Sequence, residues 1–114
     1  MDSVSAVLIN KALDGLSMRM VAISENIANM QSKDFRPVKV SFEEALKAAS
    51  SKGTDAINAV EPKFEQSSVA SLNGELRVDM ELAAANATKA RYGALIDVLN
   101  RQMQLSRTII KGGR

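Results

Sequence analysis

The sequence predicts a mainly α-helical chain. Two long terminal helices pack as an antiparallel coiled-coil-like pair, joined by a short helix and a polar middle that is partly extended or disordered. Three observations carry this reading. Apolar residues recur at helical spacing in two blocks, one near each end. Aromatics are only 4 %, so the core must be built from Leu, Ile, Val, Met and Ala, which suits helices packed along their length. Between the blocks the chain is rich in Ser, Gly, Asn and Asp, and its apolar residues keep no period. At 114 residues this is one domain, read as a helix over 1–30, a turn, short helix and loop over 31–78, and a helix over 79–111.

The first helix rests on Ile9, Leu13, Leu16, Met20, Ile23, Ile27 and Met30, spaced 4, 3, 4, 3, 4, 3. That is a heptad seam over three repeats, suited to lengthwise packing on another helix. Asp2 or Ser3 caps its start. No Pro interrupts it, and Gly15 is its one weak point. A helix over 3–30 is about 42 Å long.

Residues 31–40 break the period. Gln31-Ser32-Lys33-Asp34 is a polar turn, and Pro37 pushes Arg36 toward an extended conformation. Val38, Val40 and Phe42 alternate with Lys39 and Ser41, which predicts a short extended piece. Ser41 and Glu44 then read as a capping box opening a short helix through Ala45, Leu46, Ala48 and Ala49, which stops near Ser50-Ser51-Lys52-Gly53. Residues 50–75 read as a long loop, either disordered until bound or a small hairpin-like insertion.

The second helix begins at Asp79, a good N-cap, with Glu75 and Glu81 beside it. Tyr92, Ile96, Leu99, Met103, Ser106 and Ile110 form one row, and Leu95, Val98, Leu105 and Ile109 form a neighbouring row interrupted by Gln102. Upstream, Ala83, Ala84, Ala85, Ala87, Ala90, Gly93 and Ala94 allow close backbone approach. Gly112-Gly113 ends the helix after about 50 Å. Two apolar rows exceed what one partner helix covers. The surplus predicts a sticky surface on the monomer or burial between subunits.

Several function classes have no support. Without His or Cys there is no imidazole base, thiolate nucleophile, disulfide or zinc site of the usual kind. The 13 acids do not cluster, so neither an enzyme nor a cofactor is expected. Net charge is +2, and after Asp97 only Arg101, Arg107, Lys111 and Arg114 carry charge. These cations suit the negative end of a helix dipole, and no aromatic is interleaved with them as a nucleic-acid contact would have it. Residues 1–10 lack the pattern of a cleavable secretory signal, and no apolar run is long enough to span a bilayer.

The stretch Leu16-Ser17-Met18-Arg19-Met20-Val21-Ala22-Ile23-Ser24-Glu25-Asn26-Ile27-Ala28-Asn29 resembles the N-terminal signature of bacterial flagellar rod, hook and axial proteins, with its Asn-Ile-Ala-Asn core. Where the family continues with a Thr-Pro-Gly-Tyr type turn, this chain has Ser32-Lys33-Asp34-Phe35, with Asp34 able to take the turn conformation. Phe42-Glu43-Glu44-Ala45-Leu46 and the small size look most like the proximal rod members. A looser likeness follows at Asn73-Gly74, Val78-Asp79-Met80-Glu81, Asn86, Tyr92, Leu95 and Leu99. The likeness covers about residues 8–46 and 73–110.

The resemblance implies a structural subunit of the flagellar basal-body rod. Such a subunit is exported unfolded by the flagellar type III apparatus without a cleaved signal. In the periplasm it assembles through paired terminal helices into an axial tube. The partners so implied are further copies of the chain, other rod proteins, and the membrane-embedded ring with its adaptor FliE; no nucleic acid is implied. The expected assembly residues are Ile9, Leu13, Leu16, Met20, Ile23, Asn26, Ile27, Asn29, Tyr92, Leu95, Ile96, Leu99, Met103 and Ile110. Asn26 and Asn29 fit two readings, bonds to nearby carbonyls at a helix end or amide contacts between helices or subunits. Met18, Met20, Met30, Met80 and Met103 read as packing residues. Two alternatives stand beside the rod subunit: a helical cytosolic adaptor or secretion chaperone that binds a partner helix in a groove, and a small nucleic-acid-binding helical protein.

Overall fold

A computed structural model describes residues 2–68 and 74–112, with side chains from 2–68 and 77–112. Helix α1 spans Ser3–Asn29, and the Asp2 carboxylate caps it by accepting from the Ser5 backbone N–H at 2.7 Å. Its C-cap is Met30, one residue beyond Asn29. A tight turn follows, in which Ser32 N–H donates to the Asn29 carbonyl and Phe35 N–H to that of Ser32. Asp34 takes φ 57°, the left-handed conformation that the absent glycine would otherwise supply.

Strand β1, Val38–Ser41, pairs antiparallel with β2, Lys63–Gln66, in the register Val38↔Gln66 to Ser41↔Lys63. Two short helices lie between the strands, α2 over Glu43–Ser50 and α3 over Thr54–Ala59. The capping box is not formed: Ser41 belongs to the strand ladder, Phe42 is the N-cap residue of α2, and no side chain caps it. The expectation of a loop over 50–75 is also corrected. Gly53, at φ 99°, turns the chain into α3, and Ile57 of that helix is 0 % exposed. A six-residue helix and a four-residue strand are too short to show a period, but each has a partner in space. Residues 69–73 of that segment lie outside the described residues.

Helix α4 spans Gly74–Gly112, about 58 Å, so Asp79 lies within the helix and is not its N-cap. The good helix formers Glu75, Leu76 and Arg77 carry the helix upstream of Asp79. It packs on α1 more extensively than any other element does. The pairing is antiparallel: Asn26 late in α1 meets Glu81 early in α4, while Leu8 and Leu16 share a groove with Arg91 and Leu95. The result is an elongated body of 65 × 26 × 14 Å. Its radius of gyration, 17.8 Å, exceeds the roughly 13 Å of a compact chain of this length.

The buried core is not centred between the two long helices. It lies between α1 and the small layer of β1, α2 and α3, where Leu16 and Ala22 meet Val40, Phe42, Leu46, Ala49 and Ile57. The middle segment, polar by composition, thus supplies most of the core side chains. Gly15 explains how Phe42 enters. A Cβ at Gly15 would overlap the Phe42 ring, so the missing side chain lets the ring lie against the α1 backbone.

Candidate assembly interface

Asn26 joins three elements. Its Oδ1 accepts from the Val38 N–H at 2.8 Å, and its Nδ2 donates to the Val38 carbonyl at 2.8 Å and to Glu81 Oε1 at 2.9 Å. The amide thereby satisfies a β1 backbone donor and acceptor and ties α1 to α4. Glu81 is 4 % exposed and also accepts from Arg77, one turn back on α4. The Arg77 Nε is buried without a hydrogen-bond partner among the described residues. Asn29 makes the local bond foreseen for a helix end, donating Nδ2 to the Glu25 carbonyl at 2.9 Å.

A second polar clamp secures α2. Arg19 Nη1 and Nη2 donate to the two oxygens of Glu43, each at 2.7 Å, and Nε and Nη2 donate to the Val40 carbonyl. The guanidinium also lies 5.0 Å above the Phe42 ring centre. Hydrogen bonding from Arg19 holds the Glu43 carboxyl down at about 2. The Asp2 carboxyl is likewise lowered, by the bonds from Ser5.

On α4, the buried or half-buried positions Glu81, Thr88, Leu95 and Gln102 recur every seven residues. This contact line meets the second apolar row at Leu95 and Gln102 and continues upstream of both rows through Glu81 and Thr88. Each row keeps its inner members against α1 and turns its outer members to solvent. Upstream the line is polar: Glu81 bonds Asn26, and the Thr88 hydroxyl donates to the Ala84 carbonyl at 2.7 Å.

The expected assembly residues therefore fall into three groups. Leu13, Leu16, Ile23 and Asn26 are buried within the chain; Ile9, Met20, Leu95, Ile96 and Leu99 are half-buried. Ile27, Asn29, Tyr92, Met103 and Ile110 are exposed and remain free for contact. Val98, Leu105 and Ile109 are exposed with them, as are Val21, Met80 and Leu82, which no seam singled out.

Exposure is greatest at the far end of α4. Ser3 lies 23 residues before Asn26, and the same count beyond Glu81 reaches residue 104, so α4 outruns the start of α1 there. Every described residue from Met103 to Gly112 is exposed, Ile109 at 64 % and Ile110 at 65 %. This overhang of about 12 Å carries the ends of both apolar rows, Leu105, Ile109 and Ile110, together with Arg107 and Lys111.

Among the described residues there is no group of His, Cys, Asp and Glu placed to hold a metal, and no helix is long and apolar enough to cross a membrane. The sequence matches no protein-family model and no curated protein.

Proposed function

We propose that this chain is a structural subunit of the flagellar basal-body rod, of the proximal (FlgB) type. The observation that carries the reading is the far end of α4, where Met103, Leu105, Ile109 and Ile110 are each more than half exposed. Fully burying them against a neighbour is worth about 4–8 kcal/mol in all, before the cost of association. A subunit of an axial tube offers such a surface to the next copy. The Asn26-Ile27-Ala28-Asn29 signature and the antiparallel terminal helices support the same reading. On it, the chain reaches the periplasmic rod through the flagellar type III apparatus without a cleaved signal. It contacts its own copies, other rod proteins and the ring adaptor FliE.

The test is a deletion strain complemented with tagged chain. Swimming should be lost on deletion and restored by the parent sequence, and a density map of isolated basal bodies should contain the tag in the rod. Normal swimming in the deletion strain refutes the proposal.

A further inference from the structure

A second apolar surface lies away from the overhang, in a groove between α1, α2 and α4. It holds about 820 Å³ and is open to solvent along one side. Leu8, Ala12 and Leu16 of α1, Leu46 of α2 and Leu95 of α4 line it. Lys47 and Arg91 line it from α2 and α4, together with Glu43. The Glu43 carboxylate is already committed, with both oxygens bonded by Arg19 and Arg91 at 3.7 Å. Lys47 has no carboxylate partner among the described residues. An apolar trough results, with Lys47 at its edge and with Arg91 sharing the Glu43 carboxylate with Arg19, so the rim keeps a net positive charge.

Shape and charge narrow the occupant. A small molecule is normally enclosed over most of its surface, and an open trough cannot do that. The stretch from Leu8 to Leu16 is about 12 Å, the length of two helical turns. We propose that the groove binds an amphipathic helix of a partner protein, with apolar side chains at i, i+4 and i+7 and acidic residues flanking them. The overhang of a second copy has the apolar residues but the wrong charge. It carries Arg107 and Lys111, with Arg101 one turn before it, and no acid, which sets like charge against Lys47 and Arg91. A partner helix would be bound whether or not the chain builds a rod.

The probes are two labelled peptides of equal length on an Ala background, each with Leu at i, i+4 and i+7, one flanked by Glu and one by Lys. Fluorescence anisotropy with the full chain at low salt should show the Glu peptide binding at least about fivefold more tightly, the effect of two exposed ion pairs. The difference should shrink at high salt. Lys47→Glu, at an exposed site, should leave the thermal melt unchanged and remove most of the preference. Methyl resonances of Leu8, Leu16, Leu46 and Leu95 should shift on binding. Equal affinity for both peptides, or no binding of either, overturns the proposal. So do shifts confined to Leu105 and Ile109, or displacement of the Glu peptide by self-association of the chain, which would make a second copy the occupant.

Discussion

Gly15→Ala puts the packing of Phe42 to a quantitative test. In a helix interior this substitution ordinarily stabilises by about 0.8–1.0 kcal/mol, because Ala loses less backbone freedom than Gly. At Gly15 the new Cβ would lie 2.5 Å from Phe42 Cδ1 and 2.6 Å from Cζ, and closer still to Cε1. Such contacts are not sustained, so the ring must move. Phe42 is 5 % exposed, and Arg19 covers one face of its ring while bonding Val40 and Glu43, so the ring can shift only toward the groove that it borders between α1, α2 and α4. Overpacking of this kind costs about 1–3 kcal/mol. The helix gain offsets part of it and leaves a net loss of about 1 kcal/mol. Gly93 supplies the control, since a Cβ there meets nothing within 4 Å, and Gly93→Ala should gain about 1 kcal/mol. Urea unfolding followed by far-ultraviolet circular dichroism should separate the two variants by about 2 kcal/mol in opposite directions from the parent. If Gly15→Ala stabilises as much as Gly93→Ala, Phe42 does not rest on α1 and the account of the core is wrong.

Other substitutions test the remaining features. Asn26→Ala leaves the Val38 N–H and the buried Glu81 each short a partner, and thermal melts should report a loss of about 3 kcal/mol. Glu43 has its carboxyl lowered to about 2, so the stability it lends is present above its ordinary value near 4.5 and is lost as pH falls toward 2. Because its side chain is half exposed, solvent screening limits that loss to about 1 kcal/mol. Glu43→Gln should flatten the acid limb of the stability curve by that amount. Ile109→Asp should leave monomer stability within about 0.5 kcal/mol of the parent, since the site is exposed, yet abolish incorporation into isolated basal bodies. Ile23→Asp should instead unfold the monomer, because Ile23 is buried in the chain itself, and a melt will distinguish the two. Amide exchange should be slow over 77–95 and fast over 105–112 in the free chain, becoming slow at both in an assembled form; equal protection of both segments in the free chain would refute the overhang.

The two long helices were legible because 27 and 39 residues give their patterns room to repeat. The cap at Asp2, the turn at Asp34 and the stop after Ser50 were legible too, since each rests on local chemistry. What the pattern concealed was long-range. The contact line of α4 could not be read from its apolar rows, because at Glu81 and Thr88 the positions facing α1 are polar. Phe42 was read as the end of an alternating run, and its burial depends on Gly15, 27 residues earlier. Gly15 looked like a weakness because helix propensity counts only local backbone freedom, whereas the absent side chain admits a ring. Ser41 has the chemistry of a cap, but pairing with Lys63 claims its backbone first.

The placement of polar groups on α4 has a consequence for the candidate interface. Apolar contacts alone would fix poorly how far α4 slides along α1, since small and aliphatic side chains tolerate a shift of one heptad. The Asn26–Glu81 bond removes that freedom. Sliding α4 by seven residues would bring Thr88 opposite Asn26 and leave the Glu81 carboxylate without the amide donor it now has. A buried carboxylate that loses its donor is costly, whereas an aliphatic pair that changes partners is not. Asn26 therefore sets the register of the pair, much as a single buried amide does in a coiled coil. Register in turn sets the length of α4 that projects past Ser3, and with it which of Met103, Leu105, Ile109 and Ile110 a neighbour can reach. On the proposed reading as a rod subunit, the register that Asn26 sets would link the Asn26-Ile27-Ala28-Asn29 stretch to the apolar surface offered to a neighbour.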